Sequence, residues 1–525
     1  MLLPFATGSR DGKSLAVDTE RLVNCYVETS QSRNSKAVKA IHGRPGLDRL
    51  GNYGTSPCRG AHSLGAFIYA VFRDELLEIR NDGVSTAVGT LNTVEGLVSM
   101  ADNGSQLLIV DGQAGYIWSS DPDLVPVPNT PVSIEVPTLS FHLLVIPPTV
   151  GDPVGQQVDL HPPTLFFKLQ LYEPSVNATL GLVFGQVSDL DFPPNPAHVT
   201  YLDGFFIVQA LGDDKFYVSS LKDGTTWSAL DFATAESDPD NLLNVIGDHG
   251  ELWLLGSQST EVWRATGNRD FVFERLEGAK IQWGIHAAWS LAQYSGSLVC
   301  LGVDGDGTIQ VMSFSNYQAV RISNDALEAQ IAKMPSSSDA IGYVYADRGR
   351  MFYVLTFPAG NQTWAFDVRE AEWHELRTGN GDRFVPQHHI FHALRHIVTD
   401  HTTGDLHVMG HTTHADNGTE ILVQARGAHL EDNERLVGHA ALQIVFEHGT
   451  GLAVGQGQDP QAMLRWSSDA GNTWSSEHWR AIGKIGEHKN RCIWRTLGRA
   501  RDRVYEVSVT DPVKRTIVGM VLTTT

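Results

Sequence analysis

The sequence predicts a mainly-β protein: a β-propeller with an inserted β subdomain and a C-terminal β-sandwich-like domain. Three observations point there. Turn residues are abundant, with 50 Gly and 23 Pro in 525 residues, which favours many short strands over long helices. Strand–turn–strand units recur along most of the chain. The segment Ser467-Ser468-Asp469-Ala470-Gly471-Asn472-Thr473-Trp474 fits the turn pattern Ser-x-Asp-x-Gly-x-Thr-Trp.

That pattern is the Asp-box, a device of sialidases and other propeller-like proteins. Ser467 and Asp469 bond nearby backbone, Gly471 supplies φ > 0, Thr473 completes the turn and Trp474 anchors it to a core. A degenerate copy runs from Ser220 to Trp227 and keeps Ser220, Gly224, Thr226 and Trp227. Lys222 stands where the Asp belongs, and Asp223 follows it. The box argues for hairpins packed in repeated units and is silent on sugar cleavage.

Taken in order, residues 1–58 read as an extended segment that joins the C-terminal domain. Residues 59–120 read as the first part of the propeller. AFIYAVF, ELLEIRN and LVSMADNGSQLLIVDGQAGYIWSS alternate strands with Asn-Gly and Asp-Gly turns, about ten residues apart. Residues 121–190 break this grammar. Prolines cluster at 122, 126, 128, 131, 137, 147, 148 and 153, and the apolar runs LFFKLQLY and LGLVFG follow. An inserted subdomain with its own small sheet accounts for both, and the apolar runs argue against a floppy loop. The grammar resumes over 191–414 in units roughly 40 to 50 residues apart, as propeller blades would be. One helix is expected, at Asn324–Lys333, with Asn324 as cap and Leu327 and Ile331 as its apolar face. Residues 415–525 carry longer strands and read as a sandwich-like platform.

The formal charge is −21. Such a chain is poorly suited to gripping a nucleic-acid backbone. It could line a channel through which a polyanion slides, or the charge could serve solubility alone. Cys25, Cys58, Cys300 and Cys492 show no short spacing, so neither a disulfide framework nor a zinc site is expected. No stretch approaches the ~20 apolar residues of a membrane helix, and no membrane insertion is expected.

Three patterns suggest chemistry. A glycan-binding propeller or sialidase-like glycosidase is the alternative function, but it would need converging arginines and a paired Tyr and Glu. Arg264, Arg269, Arg275 and Arg348 are present without a grouping signal. Eight of the 21 histidines fall between His388 and His414. His388, His392 and His396 would align on a helix, but turn residues around them indicate strands, where that spacing builds no metal site. The loop GVDGDGTIQ lacks a P-loop Lys and an EF-hand Glu and reads as a hairpin turn. No catalytic, cofactor-binding or metal-binding residue is therefore assigned. A late basic run contains Arg491, Arg495, Arg499, Arg501 and Arg503. On one strand Arg499, Arg501 and Arg503 would share a face and offer a partner-docking patch.

Several segments together resemble the tail hub or nozzle proteins of short-tailed bacteriophages, also called packaged DNA stabilization proteins. They are VNCYVE, GRPGLDRL, CRGAH, VSMADNGSQLLIVDG, WLLGSQSTEVWRATG, FERLEGAKIQWGIHAAWS, VCLGVDGDG and RCIWRTLGRARDRVYEVSVTDPV. Each is weak alone, but their order is specific, and the resemblance covers the chain apart from 121–190. It implies a structural subunit without an active site, a hexamer in the virion tail, assembled in the host cytoplasm. The ring would lie below the portal and adaptor proteins. It would meet tail fibre or needle and plug proteins, and retain DNA and then conduct it without specific binding. The insertion is the part that could form the tube tip.

Overall fold

A computed structural model describes residues 5–10, 14–32, 35, 37–120, 183–235, 240–268, 271–379 and 381–525. The chain divides into two compact units, Met1–Pro126 with Leu182–Thr525, and Val127–Gly181. The second unit, and with it the inserted subdomain expected over 121–190, lies outside the described residues except for its last stretch.

Among the described residues, seven antiparallel sheets follow one another along the chain. Blade 1 begins with Cys58–Leu64 and blade 2 with Ser99–Asp102. Blades 3 and 4 begin with Pro196–Leu202 and Leu242–Asp248. Blade 5 is centred on Ser297–Val303, and blades 6 and 7 begin with Ile341–Asp347 and Pro386–His392. The fourth strand of blade 7 is Gly46–Asn52, brought from the N-terminal region to pair with Asp405–Gly410. This strand lies more than 350 positions from its partner.

The strand sequences show how the sheets stack. Their central strands are continuous apolar runs, as expected for sheets covered on both faces. In Ser297–Val303, Leu298 and Cys300 join the core shared with blade 4, while Val299 and Leu301 join the core shared with blade 6. In blade 6, Tyr353, Leu355 and Phe357 face blade 5, while Phe352 and Val354 face blade 7. The period of two thus divides each run between neighbouring cores. The ring closes where Ile68, Ala70 and Phe72 of blade 1 meet Ile390, Ile397 and Leu406 of blade 7.

The sandwich has its own core, which includes Leu442, Ile444, Leu464, Trp494, Tyr505 and Val507. One sheet contains Cys25–Thr29, Lys39–Gly43, Thr516–Thr524, Val437–Phe446 and Cys492–Arg495. In the other, Arg21–Val23 lies between Val423–Arg426 and the outer strand of blade 6, Glu372–Thr378, which it meets in parallel with Val23 opposite Glu375. This strand covers an outer blade edge that would otherwise offer unpaired backbone groups.

The expected segment boundaries therefore shift. Residues 1–58 are divided: the strands at 21–43 build the sandwich, and Gly46–Asn52 closes the propeller. Val183–Gln186, expected within the insertion, is the fourth strand of blade 2, pairing with Gly115–Ser119. Residues 415–420 still pair with one another and with the outer strand of blade 7, so the sandwich strands of this region begin at Val423. The helix spans Asp325–Ile331, and Asn324 caps it by accepting from the Leu327 amide at 2.8 Å.

Candidate functional site

The Asp-box at 467–474 joins two sandwich strands, Gln461–Ser467 and His478–Ala481. Ser467 Oγ accepts from the Gly471 amide at 2.8 Å and donates to Asp469 Oδ1 at 2.6 Å. Asp469 in turn accepts from the Thr473 amide at 2.8 Å and from its hydroxyl at 2.6 Å. These bonds hold the carboxyl down at about 2, as expected for a carboxylate that accepts several donors. Ala470 and Gly471 are both left-handed, with φ of 57° and 86°. The Trp474 indole donates to Gly471 O at 3.0 Å, and its ring lies 4.9 Å from the guanidinium carbons of both Arg426 and Arg465.

The degenerate copy joins the third and fourth strands of blade 3 and is rewired. Asp223, one position late, accepts from the Thr225 amide at 2.9 Å and from the Thr226 hydroxyl at 2.8 Å. Ser220 pairs with Asp223 at the strand end. The left-handed residue is Lys222, with φ 57°. Gly224 is not left-handed, contrary to the motif's expectation. A Cβ there would lie 2.7 Å from Ile117 Cδ1 and 3.1 Å from Phe206 Cδ2, so both side chains would have to shift to admit one. The Gly224 amide donates to Gln106 Oε1 of blade 2 at 3.0 Å. The Trp227 indole donates to Gly224 O at 2.8 Å, repeating the bond of the full box, but its ring is buried in the core between blades 2 and 3.

The basic run does not form a single face. Arg499 and Arg501 are exposed, as are Arg491 and Arg495. Arg503 is buried, donates to Leu497 O at 2.9 Å and lies 5.7 Å from the Trp466 ring centre. The alternation resets because Arg499–Ala500 pairs with Val437–Phe446, whereas Asp502–Val509 belongs to the opposite sheet. The exposed patch thus loses Arg503.

The histidines lie on the strands and turns of blade 7. His389 and His396 hydrogen-bond at 2.9 Å beside Tyr343 and Tyr345. Burial holds His388 down to about 4 and His389 to about 3. Asp400, Asp405 and His407 bring potential ligand atoms within 4.8 Å of one another. Both carboxylates are already engaged: Asp400 accepts from the Thr402 amide and hydroxyl, and Asp405 accepts from Asn52 and Arg49. This arrangement braces a hairpin. Arg264 and Arg275 lie on outer strands of blade 4 and Arg348 lies in a turn of blade 6, while Arg269 is outside the described residues. The described arginines do not converge.

Sequence reasoning missed the joint between propeller and sandwich. Arg44, in the turn after Lys39–Gly43, is buried. It donates to Asp416 at 2.8 and 2.5 Å, to Asn24 Oδ1 at 2.9 Å and to Arg377 O at 3.1 Å. Arg21 donates to Glu375 at 2.6 and 2.9 Å. Arg350 pairs with Asp367 at 2.5 Å and donates to Val27 O at 3.2 Å. The only hint was the stiff Gly-Arg-Pro-Gly turn, because the partners across the joint lie more than 300 positions away.

This two-part architecture matches one family over both parts. A profile described as "Bacteriophage P22 Gp10, beta-propeller" matches residues 1–414, and "Bacteriophage P22 Gp10, beta-sandwich" matches residues 423–525. The chain belongs to the bacteriophage P22 Gp10 family. It is a structural phage tail protein of the packaged DNA stabilization class and a component of the virion. No curated protein matches the chain. Similar solved structures include the N-terminal domain of Nup159, with 9% identity, a TM-score of 0.38 and coverage of 75% of this chain and 99% of that one. The Neurospora crassa Pan2 WD40 domain shows 8% identity, a TM-score of 0.37 and coverage of 70% and 96%. The computationally designed Ika8 protein shows 10% identity, a TM-score of 0.36 and coverage of 72% and 96%.

Proposed function

We propose that this chain is the nozzle subunit of a short phage tail. Copies form a ring below the portal and adaptor proteins, a hexamer closed by head-to-tail contacts. The ring retains the packaged genome and conducts it during ejection. The family match across both the propeller and the sandwich carries this reading. The net charge of −21 supports it, because an acidic channel wall repels DNA and keeps it from sticking. The role is mechanical rather than enzymatic: the polar groups of both Asp-boxes are spent on bonds that hold the turns and, in blade 3, tie the turn to blade 2. Arg499 and Arg501 are the docking contacts for the adaptor ring or a neighbouring subunit. The subunit is made in the host cytoplasm, binds no cofactor, and also meets fibre, needle or plug proteins.

Particles assembled without this chain test the role. They are expected to package DNA and then lose it, leaving the genome open to nuclease. Particles that keep a nuclease-resistant genome would overturn the proposal. Arg499→Glu with Arg501→Glu is expected to block addition of the subunit to the tail, and normal tails would remove the patch from the account.

A further inference from the structure

Four cationic side chains of this acidic chain come together where the propeller meets the sandwich. A narrow cavity there is lined by Arg44, Arg348, Lys514 and Arg515, with His42, His411 and His414 among the remaining lining residues. No carboxylate lines it. The nearest acids each pair with a lining residue: Asp416 holds Arg44, Glu447 holds Lys514 at 2.7 Å, Asp347 holds His411 at 2.7 Å and Glu28 holds His42 at 3.1 Å.

Two of the cations lack a full set of partners. Arg515 is 4% exposed and donates to Ile421 O at 2.7 Å and His414 O at 2.9 Å, yet its Nε has no hydrogen-bond partner. A buried guanidinium N–H without an acceptor is costly. Burial and the neighbouring Arg44 pull Arg515 down to about 10, the response of a cation in need of a counter-charge. Arg348 makes no hydrogen bond or ion pair among the described residues. It sits at φ 48° in the turn before Gly349.

We propose that this cavity binds one small inorganic oxyanion of the phosphate or sulfate class. Its enclosed volume of about 40 Å³ is too small for a nucleotide, and the exposed Arg348 and Lys514 in its lining let a single oxyanion extend outward from it. The lining comes from the N-terminal strands, the first turn of blade 6, the segment leaving blade 7 and the start of the last sandwich strand. A bound oxyanion accepts hydrogen bonds from several of these at once and fastens the joint. Charge-assisted bonds of this kind are roughly twice as strong as neutral ones. The proposal is independent of the ring and of any role in DNA retention.

The test is calorimetric titration of the full chain with inorganic phosphate in a chloride buffer of constant ionic strength. Thermal melting is followed under the same conditions. Binding near one ion per chain is expected, with a melting temperature that rises and saturates. Arg348→Gln with Lys514→Gln removes two exposed cations, so the variant should fold normally in chloride and bind phosphate at least about tenfold more weakly. Absence of saturable binding in the native chain, or unchanged affinity in a folded double variant, would overturn the proposal.

Discussion

Both the propeller and the sandwich contain a Ser-to-Trp turn, and the better motif match is the less deeply embedded of the two. In the sandwich, all the polar groups of Ser467, Asp469 and Thr473 close on one another, and Trp474 rests half-buried between two arginines. In blade 3 the side-chain wiring is shifted by a residue, yet Trp227 fills an inter-blade core and Gly224 lies against Ile117 and Phe206. Motif fidelity reports how well a turn satisfies itself. It does not report how much of the fold depends on that turn.

The largest test of this contrast between regions is acid. Four propeller histidines, His198 and His374 buried and His388 and His389 half-buried, are held low by desolvation: His198 and His388 to about 4, His374 and His389 to about 3. Their stabilising effect is complete above the unfolded value near 6.5. As pH falls below that, the unfolded chain takes up protons that the folded chain refuses, and stability is lost until about pH 3 to 4. Each such group costs about 1.4 kcal/mol per pH unit within its window. In the sandwich, His42 and His439 are lowered by burial, but His429 is raised against desolvation by its bond to Asp502 and stabilises the fold as it charges. Hydrogen exchange at pH 5 against pH 7.5 should show blades 6 and 7 opening before the sandwich. Equal protection loss in both would break the contrast.

Next come the two tryptophans. Trp227→Ala should cost about 3–5 kcal/mol, the usual loss for an aromatic removed from a core. Trp474→Ala should cost about 1–2 kcal/mol, since it removes two cation–π contacts and a partly wet surface. Denaturant midpoints of the two variants measure the gap, and a reversed order would show that the full motif matters more. The glycines sharpen the point. Gly224→Ala inserts a methyl into packed side chains and should cost about 1–3 kcal/mol. Gly471→Ala meets nothing closer than 3.6 Å and suffers only from its φ of 86°, which should cost about 1 kcal/mol. The smallest effect belongs to Asp469→Asn, which weakens an exposed turn. Its contribution is present above the unfolded carboxylate value near 3.9 and is lost as pH falls through about 2. The variant should therefore match the native melting temperature below that pH and lie slightly under it at pH 7.

Much of the fold was legible because its signals are local. Asn-Gly and Asp-Gly turns marked the hairpins, and Asn324 announced the helix Asp325–Ile331. The blade number was not legible, since closure depends on Gly46–Asn52 finding Asp405–Gly410 across the chain. The arginine patch failed for a related reason. Alternation predicts a face only along an unbroken strand, and the chain changes sheets between Ala500 and Asp502. The cavity around Arg515 was beyond reach because its cations come from three separate stretches of sequence.

The measurement that tests the central claim most directly is the solution mass of the purified chain by light scattering, alone and with its adaptor complex. The account predicts a six-membered ring in at least one of these conditions. A chain that stays monomeric and ignores the adaptor would contradict it.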